Sequence, residues 1–223
     1  MGTLPSLTLL DEVGSTNDEA LALGRGGAAT AIPWAAPPGN LYLSVVLRPR
    51  VSPTRLAGLA GACGLGALHV SNEALLKWPN DLYARGRKLA GVLVEAARDD
   101  SGEPFAVCGV GVNVSRAPRG LDAVSLAELG CAPSLPYLAE TLRGGIVSQV
   151  DAWAAAAGDR PLDGIRDAYL ARLAWLGETV RVLAAQGGEE LARGVFETVD
   201  AWGRAVVDGV PYPSERASLR PLG

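Results

Sequence analysis

The chain has one histidine, two lysines and three cysteines in 223 residues. Each scarcity excludes something. One histidine, with cysteines at 63, 108 and 131 and no CxxC spacing, leaves no ligand set for a structural zinc. Three well-spread thiols suit a reducing compartment and not a disulfide framework. No apolar run reaches the roughly 18 residues that a membrane-spanning helix needs. The opening MGTLPSLTLLDEVG has no basic segment ahead of a long apolar stretch, so no signal peptide is expected. Acidic residues outnumber basic ones, for a net charge of −4, which argues against a nucleic-acid binder. A soluble, cytoplasmic protein with no membrane and no nucleic-acid partner is the expectation.

Lysine is the most informative shortage. Lys77 and Lys88 are the only two, and the other 18 of the 20 cations are arginine. Both fall within residues 75–95, LLKWPNDLYARGRKLAGVLVE. Lysine is a compact, strongly hydrated point charge on a flexible stem. It suits a site where one ammonium must reach a phosphate or carboxylate oxygen. Either lysine alone reads as a solvated surface charge, so the surrounding pattern has to decide.

What is present is enough for a substantial core: 48% apolar and 20% charged residues. Residues 7–13 read as a short strand. Ser15 or Thr16 caps a helix running to about Leu23, with Thr16 and Glu19 at capping-box spacing. Residues 24–40 are a Gly/Ala/Pro-rich loop with at most a short strand near 28–32. Residues 41–47 are a strand ended by Pro49. Ser52-Pro53 opens a helix with Leu56, Leu59, Cys63 and Ala67 on one face. Residues 75–95 follow as strand, stiff Trp-Pro corner, basic loop and strand. Residues 105–114 form a strand apolar on both faces. Ser125 and Glu128 mark a short capped helix. Residues 135–157 form a long amphipathic helix and 163–174 another. From 176 onward, short strands with turn residues make a small all-β module. Trp34, Trp78 and His69 read as structural, and Arg25 as a loop charge. This order favours an α+β fold with helices on one face of a mixed sheet.

Ser15-Thr16-Asn17, Leu41-Tyr42-Leu43-Ser44, Lys77-Trp78-Pro79-Asn80-Asp81-Leu82, Arg87-Lys88-Leu89-Ala90-Gly91-Val92-Leu93-Val94-Glu95 and Gly109-Val110-Gly111-Val112-Asn113 occur in this chain in the order found in biotin protein ligases. The resemblance covers about residues 7–114, and Ser218-Leu219-Arg220 resembles the end of that family's SH3-like C-terminal domain. Lipoate ligases share the fold but do not usually carry KWPND. The resemblance implies a class II synthetase-like biotin/lipoate ligase fold over residues 1–174 and a small SH3-like β-barrel over 175–223. The resemblance is to the short form of the family, and no DNA-binding helix-turn-helix ahead of the catalytic domain is expected.

The implied reaction joins biotin to ATP as biotinyl-5′-AMP and passes biotin to a lysine of a biotin carboxyl carrier protein. Attack of a carboxylate on a phosphate brings two anions together, so the site must supply positive charge. The resemblance assigns Lys88 and Asp81 to catalysis. It assigns Ser15, Thr16, Asn17, Lys88, Gly91 and Gly109 to biotin, and Lys77, Trp78, Asn80 and Asn113 to ATP and the adenylate. Asp81 either approaches Mg²⁺ indirectly or orients the acceptor lysine; Mg²⁺ comes with ATP and has no direct protein ligand. A homodimer through sheet edges is open.

One family feature is missing. An arginine-rich loop of the form GRGRxGR belongs between the strand ending near Ala31 and the segment from Trp34 to Ser44. Gly24-Arg25-Gly26 resembles it only superficially. Either the sequence as determined lacks a segment of the native protein, the favoured account, or the loop is lost or engineered away. A genuine loss leaves a leaky or impaired biotin/adenylate-binding homologue. A ligase for another acid, such as lipoate, is the third alternative.

Overall fold

The computed structural model describes residues 6–8, 15–26, 30–34, 39–131 and 133–222. Seven strands form the first sheet: β1 (Ser6–Leu7), β2 (Thr30–Trp34), β3 (Leu41–Leu47), β4 (Leu75–Lys77), β5 (Asp81–Ala84), β6 (Arg87–Arg98) and β7 (Pro104–Val112). Their order is β1-β2-β3-β7-β6-β5-β4. β1 and β2 are parallel and the other neighbours antiparallel, so the sheet is mixed. Residues 9–14, part of the expected first strand, lie outside the described residues.

The helices follow from sequence pattern. α1 (Thr16–Arg25) starts at Ser15, whose hydroxyl accepts from the Asp18 N–H, so Ser15 is the cap. The segment after Ser52-Pro53 opens as a 3-10 turn, Arg55–Gly58, before α2 (Leu59–Ala67). α3 (Leu135–Ala155) buries Leu138, Leu142, Ile146, Val150 and Trp153 along one face. α2 and α3 approach closely: a Cβ on Gly66 would lie 2.6 Å from Ile146 Cα. α4 (Arg166–Leu170) is shorter than the 163–174 expected. Beyond it the chain pairs with β4 instead, through Leu76 N–H to Arg172 O and Ala174 N–H to Leu76 O. Ser125 and Glu128 do make reciprocal cap bonds, but the chain between them forms a turn and not a helix.

β3 shows how the sheet sorts its residues. Leu41, Leu43, Val45 and Leu47 enter the main core with α2 and α3. Val46 joins a separate cluster with Ala20 of α1, Phe105 and Val107. So α2 and α3 cover one face, and among the described residues α1 crosses part of the other and leaves the remainder open.

Five antiparallel strands follow: β8 (Thr179–Ala184), β9 (Glu190–Val199), β10 (Ala205–Val207), β11 (Val210–Tyr212) and β12 (Ala217–Pro221). Their order is β11-β10-β9-β8-β12. This sheet is anchored to the first part of the chain. Trp78 Nε1 donates to Gly203 O at 2.9 Å, Arg166 Nε to Val199 O at 2.9 Å, and Leu162 N to Ala201 O at 3.0 Å. Val180, Val182, Phe196 and Leu219 share the main core cluster with the first sheet.

Candidate active site

The open face of the first sheet is low because three of its residues are glycine. Antiparallel register sets Tyr42 beside Gly111 and Gly111 beside Gly91, then Ser44 beside Gly109 and Gly109 beside Leu93. Neighbouring side chains lie over these glycines. A Cβ on Gly109 would fall 2.3 Å from Asn17 Oδ1, and one on Gly111 3.2 Å from the Tyr42 ring. One on Gly91 would lie 3.5 Å from Lys88 Nζ and 3.6 Å from Asp81 Oδ1. The glycines therefore seat polar groups of the protein at the sheet surface. The expectation for Gly91 and Gly109 was direct approach by a bound ring.

α1 delivers the polar groups at one end. Asn17 Nδ2 donates to Glu95 at 2.5 Å, and Asn17 Oδ1 accepts from Ser44 Oγ at 2.5 Å. Ser44 Oγ also lies 2.8 Å from Thr16 Oγ1. Thr16, Asn17 and Ser44 are all buried, so this network sits away from bulk water, where hydrogen bonds are strongest.

At the other end, just past the cis Trp78–Pro79 bond, Asp81 lies between the two lysines. Lys88 Nζ is 2.6 Å from Asp81 Oδ1, and Lys77 Nζ is 3.8 Å from Asp81 Oδ2. The lysines differ in environment. The Lys88 side chain is 43% exposed and that of Lys77 is 3%. Burial lowers the Lys77 ammonium to about 8, Arg220 and Lys88 push the same way, and Asp81 opposes them.

Two cavities open here. The first, of about 540 Å³, is lined by Ser15, Thr16, Asn17, Tyr42, Asn80 and Asp81, with Glu95 and Gly109 among the others. The second, of about 500 Å³, runs toward the second sheet past Tyr83, Asn113, Asp122 and Arg220. Lys88, Gly91 and Gly111 lie on the walls of both. Asn113 Nδ2 donates to the carbonyls of Lys88 and Val124, at 3.3 and 3.2 Å, so it holds the Lys88 strand in place.

Most of the residues singled out in the sequence meet at these cavities. Ser15, Thr16, Asn17, Asn80, Asp81, Lys88, Gly91, Gly109 and Asn113 all line one or both. Lys77 and Trp78 line neither. Lys77 is buried behind Asp81, and the Trp78 indole is buried against the second sheet, which agrees with the packing role read for it. Glu95 and Arg220 were quoted only within motifs. Glu95 shares a strand face with Gly91, so period-two spacing along β6 was the available signal. No local pattern marks Arg220, which reaches the site only because the second sheet docks there.

The arginine-rich loop would enter β2 between Ala31 and Trp34. There the strand runs without a break, with Ile32 beside Ser44, Pro33 beside Leu43 and Trp34 beside Tyr42.

Residues 23–113 match the biotin/lipoate A/B protein ligase family. The chain is 36% identical over 197 residues to a biotin–acetyl-CoA-carboxylase ligase of Mycobacterium tuberculosis, covering 83% of this chain and 67% of that one. It is 30% identical to the Paracoccus denitrificans ligase of the same name, covering 90% of this chain and 93% of the relative. That alignment runs over 233 residues, more than this chain contains, so the relative has segments with no counterpart here. In fold, the chain is similar to the Aquifex aeolicus biotin protein ligase solved in complex with biotin and ATP. The TM-score is 0.78 at 24% identity, over 97% of this chain and 99% of that one. With two such relatives matched along most of their length, the chain belongs to the biotin protein ligases of the biotin/lipoate A/B protein ligase family.

Proposed function

We propose that this protein activates biotin with ATP to biotinyl-5′-AMP and transfers the biotinyl group to a lysine of a biotin carboxyl carrier protein. The observation that carries this reading is Lys88, which stands on the walls of both cavities with its ammonium held by Asp81. A two-part intermediate needs two adjoining cavities and a cation where they meet. We assign residues 1–174 as the catalytic domain and 175–223 as the C-terminal domain that contributes Arg220.

In the first step a biotin carboxylate oxygen bonds to the α-phosphorus, and the bond to the β-phosphate oxygen breaks, releasing pyrophosphate. Lys88 offsets the repulsion between the two anions and stabilises charge on the α-phosphoryl oxygens. In the second step the carrier amine attacks the acyl carbon, AMP leaves with the bonding pair, and the amine loses a proton. The ureido ring, with its N–H donors and carbonyl acceptor, suits the Ser15–Thr16–Asn17 end of the first cavity. The adenylate takes the second, where the Asn113 amide oxygen is left to meet the base. Asn80, assigned to the nucleotide, lines the first cavity beside Asp81. Lys77 acts through Asp81, and the Trp78 indole N–H, bonded to Gly203, fixes the corner that carries both.

Among the described residues no three His, Cys, Asp or Glu side chains group as a metal site. Mg²⁺ can be held mainly by substrate phosphates and water, with one or two carboxylates. Asp81, between two ammoniums, fits an indirect contact, and the ion when bound supplies charge neutralisation at the phosphates. On the same reading the protein works in the cytoplasm on a carrier protein and not on nucleic acid. β6 beyond Val92 has no strand on its outer side among the described residues, and a second copy would pair there to form a homodimer.

The lack of an arginine-rich segment between Ala31 and Trp34 in this sequence motivates a second reading, an impaired homologue that binds biotin and adenylate but lets the intermediate escape to water. The test is pyrophosphate release with biotin and ATP, followed by mass analysis of a carrier domain. A mass gain of one biotinyl group on the carrier supports the ligase. Pyrophosphate release with free biotinyl-AMP and an unlabelled carrier supports the second reading. Faster adenylation of lipoate than of biotin would overturn both in favour of a ligase for another acid.

A further inference from the structure

Glu95 has no part in the steps above, yet it lines the first cavity and accepts the Asn17 amide N–H at 2.5 Å. The chain of contacts beyond it has a direction. A carboxylate offers only acceptors, so the nitrogen of the Asn17 amide faces Glu95 and its oxygen faces Ser44. The Ser44 hydroxyl lies within hydrogen-bond distance of both Asn17 Oδ1, at 2.5 Å, and Thr16 Oγ1, at 2.8 Å. It has one proton for the two. The Asn17 oxygen cannot donate, so the Ser44 proton goes to it. The remaining contact must then be donated by Thr16. The protons all point the same way: Thr16 to Ser44, Ser44 to Asn17, Asn17 to Glu95. The Asn17 amide cannot sink toward the strand, because it lies over Gly109 with no room beneath it.

We propose that Glu95 is a positioning residue that fixes the polarity of this network, so that Thr16 Oγ1 presents only lone pairs to the first cavity. A bound acid is then selected for an N–H donor at that point. This rests on the reading that the first cavity holds the ring of biotin. It deepens that reading by naming what discriminates a ureido ring from the rings or chains of acids without N–H groups, such as lipoate. Replacing the carboxylate by an amide of the same shape removes the constraint. Gln can donate or accept, and the network can reverse, so that Thr16 turns its proton into the cavity.

The test is titration calorimetry of biotin, lipoate and ATP with the full chain and with Glu95→Gln, Thr16→Val and the double variant. Glu95→Gln is expected to weaken biotin binding about tenfold, the scale of one hydrogen bond made or lost in a protected site. Lipoate and ATP binding should stay unchanged, and kcat should fall far less than KM rises. In the Thr16→Val background Glu95→Gln should have no further effect, since the pathway runs through Thr16. Equal and additive losses in the two backgrounds would overturn the proposal, as would parallel losses for biotin, lipoate and ATP. If Glu95→Gln fails to fold, Ser44→Ala cuts the same chain midway, and it should reproduce the biotin-specific loss. Unchanged biotin affinity in Ser44→Ala would equally overturn it. If the wild-type chain binds no biotin at all, the ligase reading fails first, and that result is distinct from all of these.

Discussion

Along β7, Cys108, Val110 and Val112 face α2 and α3, while Gly109 and Gly111 on the same strand face the cavities. β6 repeats the division, with Ala90 and Val92 on the core side and Gly91 and Glu95 on the cavity side. One face is filled by apolar side chains to the density of a protein interior. The other is emptied by glycine, and the space is given to Asn17, Tyr42, Asp81 and Lys88. The contrast separates two kinds of residue in the same strands. On the core face, removing or adding atoms should change stability and leave ligand affinity alone. On the cavity face it should change chemistry or affinity and leave the fold standing.

The strongest test of that separation is Lys88→Ala. Its side chain is 43% exposed and its ammonium pairs with Asp81, so the fold does not depend on it. Loss of a group that stabilises transition-state charge costs on the order of 10²–10³ in rate. Pyrophosphate release should fall by that factor, while the thermal midpoint moves little. Near-normal release would break the assignment of Lys88 to the reacting centre.

Gly66→Ala is the counterpart across the sheet. The new Cβ would sit 2.6 Å from Ile146 Cα, which is backbone and cannot step aside. Overpacking of this kind should destabilise by about 2–3 kcal/mol in urea titrations, despite alanine's better helix propensity. Biotin affinity of the folded fraction should be unchanged. A fall in affinity at full stability would blur the division between the faces.

Lys77 belongs to neither class, and pH separates its role from that of Lys88. Its folded value is about 8 against an ordinary 10.5, so between those values the unfolded chain binds more protons than the folded one. Stability contributed by this site therefore rises with pH through that window, and below about 8 the buried ammonium opposes folding in full. Asp81 offsets part of the cost, and Arg220 and Lys88 add to it. Wild type should gain about 2 kcal/mol relative to Lys77→Met between about pH 7 and 10, read from denaturant midpoints. A constant difference across that range would show that Lys77 is better solvated than its position indicates.

The division between the faces was half legible in the residues. Strand 41–47 was read with its true ends, because apolar, aromatic and β-branched residues run unbroken to Pro49. Lys88, Asp81, Asn17 and Asn113, singled out because their motifs are specific and because lysine is so rare, line the cavities. What escaped was set by distance along the chain. Trp78 meets Gly203 across 125 residues, and Asn17 meets Glu95 across 78. Such pairings leave no periodic trace. The 163–174 helix was overextended for a related reason: residues 172–174 answer to β4, not to their own helical spacing. The resemblance placed Lys77 beside the nucleotide, but only packing shows it to be the buried partner of the pair.

The finest test joins the two halves of the cavity face. Gly109 sits between Ser44 and Leu93 in register, directly beneath the Asn17 amide. In Gly109→Ala the methyl would lie 2.3 Å from Asn17 Oδ1, so the amide must lift. Lifting it lengthens the bonds to Ser44 and Glu95 together, while the main-chain pairing of β7 with β3 and β6 needs no change. The stability cost is then small, because the obstacle is a side chain that can move toward an open cavity. Biotin affinity should drop about tenfold, matching Glu95→Gln, since both disturb the same network. ATP affinity should hold, because the second cavity meets Gly111 and Gly91 and not Gly109. Calorimetry on Gly109→Ala, Glu95→Gln and their combination reads this directly. If Asn17 is the shared element, the combined loss is no greater than the larger single one. Independent losses would mean that Gly109 matters by admitting the ligand itself to the sheet.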